Sequence, residues 1–323
     1  MTTAIALAAV FALGALVQTL CTARDRRRFP PLGRLINGLH VHEVGTAGPP
    51  VVFEAGIAAS CLGWAAVQTA LASDARTWSY DRRGLGWSAP MPSPDRPSLH
   101  AITDELRSLV NGIDVPRPFV LVAHSFGAYV ATLYANRFPL DVSGLVLVDP
   151  LSPAEWLRPA VTGARRLHRA VVFTRLTAVL AAFGLVRLGL WGLLRRGGGN
   201  PGPVLGLSRA LRRMAVEVGK LPPNLSRALR ALWSEPGFFK TMAVNLAVLP
   251  LCAAELGGRQ IPPGIPVTVL SGAHQPPERL AEHAAMATRH VIVEGSAHWI
   301  QLDRPDIVCA AIRQVGQPDS DLT

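Results

Sequence analysis

The sequence predicts one α/β domain: a mostly parallel sheet with helices on both faces, broken once by a long helical insertion. Three observations carry this. Short apolar runs rich in β-branched residues alternate with helical patterns. The alternation stops between Asp149 and Pro263 and then resumes. A length of 323 residues is met more simply by one domain with an insertion than by two domains.

The chain opens with residues 4–20, apolar apart from Gln18 and Thr19, followed at once by Arg24, Arg26, Arg27 and Arg28. This run is at the short limit for a spanning helix. A signal peptide carries its positive charge before the apolar stretch, not after it, and Leu20 stands before Cys21 where a lipid-attachment site needs a small residue. Residues 1–30 therefore read as a membrane anchor with a basic linker, a buried or disordered N-terminal helix being the alternative, and for an anchor the positive-inside rule puts the domain behind it on the cytoplasmic side. After Phe29-Pro30-Pro31, residues 39–44 alternate and end in Gly45-Thr46-Ala47-Gly48, the pattern of a half-exposed strand and turn.

Strands are predicted at 51–53, 77–80, 119–122, 145–148, 267–270 and 291–293, with helices at 66–72, 100–111, 126–137 and 305–315. Continuous apolar strands separated by helices mean a parallel sheet covered on both sides. Residues 31–150 and 263–323 thus form the two parts of the core, and 151–262 a helical lid between strands six and seven. Inside the lid, 171–194 is apolar except for Thr174, Arg175, Thr177 and Arg187, and Arg195-Arg196-Gly197-Gly198-Gly199 closes it. Two central arginines argue against a simple membrane span. They leave either an amphipathic or re-entrant helix at the membrane interface or a helix packed over the site.

The net charge is +10, from 32 basic and 22 acidic residues, nearly all the basic ones Arg. The arginines are scattered or flank apolar runs, and no helix-turn-helix, zinc-finger or RRM signature accompanies them, so an anionic membrane surface fits better than nucleic acid. Cys21, Cys61, Cys252 and Cys309 lack metal-ligand or CxxC spacing.

The chemistry gathers at strand ends. The run 119–122 leads into Ala123-His124-Ser125-Phe126-Gly127 and a helix. A serine on a sharp strand-to-helix turn projects its hydroxyl above the sheet, and small flanking residues let the backbone turn. His298 follows the last strand, on the loop where a base able to reach that hydroxyl belongs. His40, His42 and His168 read as structural or solvated, and His124 as pointing away from the hydroxyl. Backbone N–H donors for an oxyanion are available from Phe126, next to the serine, and from Ile57, on the loop after the third strand.

Together with the Ser125 turn and Gly295-Ser296-Ala297-His298-Trp299, the segments 51–56, 79–88 and 144–150 resemble the α/β-hydrolase superfamily over nearly the whole chain after Pro30. Ala123 stands where the nucleophile turn usually has Gly. The resemblance implies the α/β-hydrolase fold and makes Asp81 and Arg82 braces of a loop near the site. It implies a triad acid on the loop after strand seven, but residues 271–278 contain no Asp. Asp149, at the end of strand six, matches the placement seen in pancreatic-type lipases and is favoured; Glu278 is the alternative.

The expectation is a serine hydrolase, esterase- or lipase-like, that cleaves a small hydrophobic carboxylic ester through an acyl-enzyme, with no metal or organic cofactor. The epoxide hydrolase and haloalkane dehalogenase branches need a carboxylate nucleophile. Two alternatives stand beside it: a carbon–carbon bond hydrolase with the same triad, and a non-catalytic membrane-associated binding protein of the same fold.

Overall fold

The computed structural model describes residues 2–92, 96–157, 161–195 and 216–315. Helix α1 (Thr2–Arg28) is 27 residues, about 40 Å long, and among the described residues it is the one single helix long and apolar enough to cross a membrane. A hairpin follows, β1 (Arg34–Ile36) and β2 (Leu39–Val44). Its turn residues Asn37 and Gly38 both have positive φ, 52° and 81°, as a two-residue hairpin loop requires.

The remaining strands are β3 (Pro50–Glu54), β4 (Arg76–Tyr80), β5 (Phe119–His124), β6 (Val142–Val148), β7 (Val267–Gly272) and β8 (Arg289–Val293). They join in the order β1-β2-β4-β3-β5-β6-β7-β8, antiparallel only at β1/β2 and β2/β4. Alternate side chains divide the core between two faces. Leu121, Ala123, Leu145 and Leu147 pack with α3 (Leu99–Gly112) and α4 (Gly127–Arg137). Val120, Val122, Val146 and Val148 pack on the other side against α2 (Ala65–Leu71), which contributes Val67 and Leu71.

Between β6 and β7 lie α5 (Ala154–Leu157), α6 (Val161–Ala182), α7 (Leu185–Arg195), α8 (Pro223–Trp233), α9 (Pro236–Ala247) and α10 (Leu249–Leu256). The apolar run 171–194, read as an amphipathic or re-entrant helix or as a helix over the site, is carried by two helices, bent by 90° between α6 and α7. Gly184 explains the break: it sits at φ 77°, a left-handed conformation that ends a helix and that glycine adopts without a side-chain clash. The expected basic–glycine closure at Arg196-Gly197-Gly198-Gly199 lies outside the described residues, as does 316–323. The chain returns through α11 (Pro277–Ala285), α12 (Ile300–Asp303) and α13 (Pro305–Val315), the last of which covers the α2 side of the sheet with Val308 and Ile312.

The loop after β4 is held by Asp81. Its carboxylate accepts from the N–H of Cys61 at 2.8 Å, the N–H of Trp87 at 3.2 Å and His40 Nδ1 at 2.9 Å. A Cβ on Gly86 would lie 2.0 Å from Asp81 Oδ2, so the loop closes only with glycine there. His40 and Asp81 are fully buried, as the structural reading of His40 and the bracing reading of Asp81 expect.

Candidate active site

Ser125 follows β5 at φ 54° and Asp149 follows β6 at φ 43°. The two strands are parallel and paired through His124 and Val148, so their last residues reach the same sheet edge. Left-handed backbone at a residue with a side chain costs about 1–2 kcal/mol, and main-chain bonds hold it here. Ser125 N–H donates to the Val148 carbonyl at 3.0 Å, Asp149 N–H to the Leu270 carbonyl at 2.7 Å, and Leu151 N–H to the Ser125 carbonyl at 3.2 Å. A Cβ on Gly127 would lie 2.8 Å from the Ala55 carbonyl oxygen, which is why the first turn of α4 has no side chain at that point.

His298 lies on the loop between β8 and α12. Its Nδ1–H donates to Asp149 Oδ2 at 2.6 Å, and its Nε2 accepts from Ser125 Oγ at 3.0 Å. Asp149 is fully buried and Ser125 nearly so, whereas the His298 side chain is 41% exposed. Burial alone would raise the Asp149 pKa. The hydrogen bond and charge of His298, then the bonds from Gly272 N–H and Gln275, outweigh it and hold the carboxyl below its usual value. Asp149 is therefore an ionised acceptor, which fixes the proton of a neutral His298 on Nδ1 and leaves Nε2 free to accept. Glu278, the alternative acid, is exposed in the first turn of α11 and, among the described residues, makes no bond to His298.

Three supporting residues carry roles that the sequence reading did not assign. Gln275 Nε2 donates to Asp149 Oδ2 at 2.6 Å. His124 makes no bond to the Ser125 hydroxyl; its Nε2 donates to the His298 carbonyl at 2.8 Å, and its ring lies 4.7 Å from the His298 ring. Burial drives the His124 pKa down to about 3, so the ring stays neutral. His283 Nε2 donates to the carbonyl of Pro150, next to Asp149, at 2.9 Å, and Ser271 bonds the other nitrogen of His283.

The third strand's loop abuts the serine: a Cβ on Gly56 would lie 3.4 Å from Ser125 Cβ. Arg82, 6% exposed, organises this loop. Its Nη1 donates to Glu54 at 2.6 Å and to the Ala55 carbonyl at 3.0 Å; its Nη2 donates to the Gly56 carbonyl. In a trans peptide the carbonyl and the following N–H point oppositely, so tying down the Gly56 carbonyl fixes the direction of the Ile57 N–H. The same guanidinium lies 5.2 Å from the Phe126 ring centroid. One buried cation thus holds the Gly56–Ile57 peptide through its carbonyl and lies against the ring of Phe126, the other residue expected to supply an oxyanion donor.

The sequence model described as the alpha/beta hydrolase family matches residues 51–311. The chain belongs to the alpha/beta hydrolase family. An uncharacterized protein of Bacillus subtilis, YqjL, is 34% identical over 109 residues, which is 34% of this chain and 42% of that protein. An AB hydrolase superfamily protein of Gibberella zeae is 32% identical over 104 residues, 31% of this chain and 32% of that protein. The matched part spans less than half the length of either relative. Among solved structures, potato (Solanum tuberosum) epoxide hydrolase I superposes with a TM-score of 0.66 at 20% identity, covering 87% of this chain and 97% of that one. At that identity the likeness is one of fold.

Among the described residues, His40, Cys61 and Asp81 place ligand-type atoms within 4.8 Å of one another. His40 Nδ1 and Asp81 Oδ2 are bonded to each other in the brace described above, and Cys61 Sγ lies 3.6 Å from the same His40 nitrogen. Burial also raises the Cys61 thiol well above its usual value, whereas a metal needs the thiolate.

Arg82→Lys keeps the charge but loses the planar fork that reaches Glu54 and two carbonyls together. It is expected to lower kcat by up to about a hundredfold, the scale of a lost oxyanion donor, with KM little changed. Steady-state kinetics on a p-nitrophenyl ester, beside a melting curve showing an intact fold, check this.

Proposed function

We propose that this protein is a serine hydrolase that cleaves a hydrophobic carboxylic ester through an acyl-enzyme. One observation carries the reading: Ser125 Oγ, the His298 imidazole and the Asp149 carboxylate form one hydrogen-bonded chain. Ser125 Oγ attacks the ester carbonyl carbon as its proton passes to His298 Nε2. The N–H groups of Ile57 and Phe126 stabilise the oxyanion. Collapse of the tetrahedral intermediate breaks the bond to the alcohol, which leaves with the proton from His298. Water then repeats the sequence on the acyl-enzyme, giving the acid and free Ser125.

The non-catalytic alternative drew its support from the absence of an Asp after strand seven, and Asp149 makes up that absence from strand six. The solved epoxide hydrolases share the fold, but this chain carries Ser125 at the turn where that chemistry needs a carboxylate. Support for an apolar substrate comes from a cavity of about 360 Å³ beside Ala58, lined in part by Leu229, Leu232, Trp233 and Phe238. Neither Ser125 nor His298 lines it, so it marks the apolar character of the surroundings and not the acyl position.

Helix α1 is read as the membrane anchor. Its basic end, Arg26 to Arg28, supports a cytoplasmic catalytic domain under the positive-inside rule. No metal or organic cofactor enters this mechanism.

A fluorophosphonate probe is expected to label the wild type stoichiometrically and Ser125→Ala not at all. Absence of labelling in folded wild-type protein would remove the proposal. A reporter fused to the C-terminus is expected to be active only in its cytoplasm-dependent form; an active periplasmic reporter would reverse the orientation.

A further inference from the structure

The outer face of the insertion differs from the rest of the surface in charge and polarity. Between Glu155 and Glu217 the sequence contains no Asp or Glu. Helix α6 packs along α9 and buries Val171, Thr174, Ala178 and Ala181 on that side. Its other side exposes Arg165, Arg166 and Arg169 near the N-terminal end, then Val172, Phe173, Leu176 and Val179. The apolar surface continues around the bend through Leu185, Leu188 and Trp191 of α7. Such a helix is not a span, because one flank is covered by protein and the other carries arginines at one end. Basic residues beside an apolar stripe fit the plane of a membrane interface.

Two further observations say what covers this face. The first is a groove of about 970 Å³ whose lining includes Arg96, Arg165, Arg169 and Arg175 together with Trp156 and Val172. Among the described residues these arginines have no acidic partner, and the one acid in the lining, Glu155, is paired with Arg279. Unpaired guanidinium groups beside apolar side chains match a lipid, whose phosphate adjoins its acyl chains.

The second is continuity with α1. The Phe11 and Phe183 rings meet at 4.8 Å, and Gly14 leaves room for the Phe183 carbonyl. Buried Gln18 donates to the Ser234 carbonyl at 2.9 Å and accepts from Arg187 Nε at 3.0 Å. Arg187 also donates to Asp25, and Arg26 makes two bonds to Glu235, both 2.7 Å. The anchor is thereby clamped to the insertion on one side, while Ile5, Val10, Leu13 and Leu16 stay exposed.

We propose that the outer face of α6 and α7 docks on an anionic bilayer. Leu176, Leu185, Leu188 and Trp191 sit at the headgroup–acyl boundary, and Arg96, Arg165, Arg169 and Arg175 bind lipid phosphates. The proposal rests on the reading of α1 as a membrane anchor and not on the ester reading. Its consequence for that reading is direct: the inner residues of the insertion pack against Ile57 and Ala58, so the candidate site is held beside a lipid surface.

The test places a nitroxide label on Leu176→Cys in full-length protein carrying Cys21→Ser, since the other three thiols are buried. Leu140→Cys, 90% exposed on the turn before β6, serves as control. In vesicles of equimolar phosphatidylglycerol and phosphatidylcholine, the label at 176 is expected to collide with oxygen and be shielded from a water-soluble nickel chelate, and the label at 140 to show the reverse. Replacing Arg165, Arg166, Arg169 and Arg175 by Gln, or using phosphatidylcholine alone, is expected to return the label at 176 to water. A chain that floats with the mixed vesicles but keeps the label at 176 as wet as that at 140 overturns the docking. Shielding indifferent to both lipid charge and the arginines overturns the anionic partner. A chain that does not float overturns the anchor reading itself.

Discussion

Two adjacent parallel strands that stop at the same level, each with a side-chain-bearing residue turned to positive φ, are the constraint on which the site depends. The pairing of His124 with Val148 aligns the strand ends. The positive φ of Ser125 and Asp149 then lifts the hydroxyl and the carboxylate above the same edge of the sheet. This backbone is strained, and the strain is tolerated because β5 and β6 lie in the middle of the sheet, between β3 and β7, with both faces packed. His298 comes from a loop on which it is 41% exposed, and so needs holding from elsewhere. Asp149 orients its ring, and His124 fixes its main chain.

The polar groups beneath the site are consistent with this division of labour. Asp81 ties β2, the β3 loop and the β4 loop into one body through its bonds to His40, Cys61 and Trp87. Arg82 reaches from that body to the carbonyls of Ala55 and Gly56. Burying a guanidinium is costly unless it is paired and fully hydrogen-bonded, and Glu54 with the two carbonyls satisfies that condition. Charge here serves the direction of a peptide bond, whereas on the insertion it serves the surface.

Much of this was legible because local and global signals agree. Six β-branched apolar runs and the turn at Ser125 predicted the sheet and its edge, and the Asp149 strand end was favoured as the partner of His298. The first strand was missed because Arg34-Leu35-Ile36 is too short to show alternation, although Asn37-Gly38 is a hairpin signal. The bend at Gly184 hid inside an apolar run whose composition suits one long helix. Docking of α1 was hidden for a different reason: the helix reads as an apolar run with a basic end, yet Gln18, Thr22 and Asp25 recur at helical spacing on one side. That stripe was visible, but only the three-dimensional position of Arg187 gives it a partner. The Arg82 contact with Gly56 leaves no periodic trace at all, since it joins two loops through backbone carbonyls.

The central claim is that Asp149 acts only through His298, and the coupling between the two measures it most directly. The turnover of Asp149→Asn, His298→Ala and the double variant should be compared on one ester. If the carboxylate serves to orient the imidazole, the double variant should be no slower than His298→Ala alone. A double variant slower by the product of the two single losses would mean that Asp149 and His298 act independently, and the hydrogen-bonded chain from Ser125 to Asp149 would not be the catalytic unit.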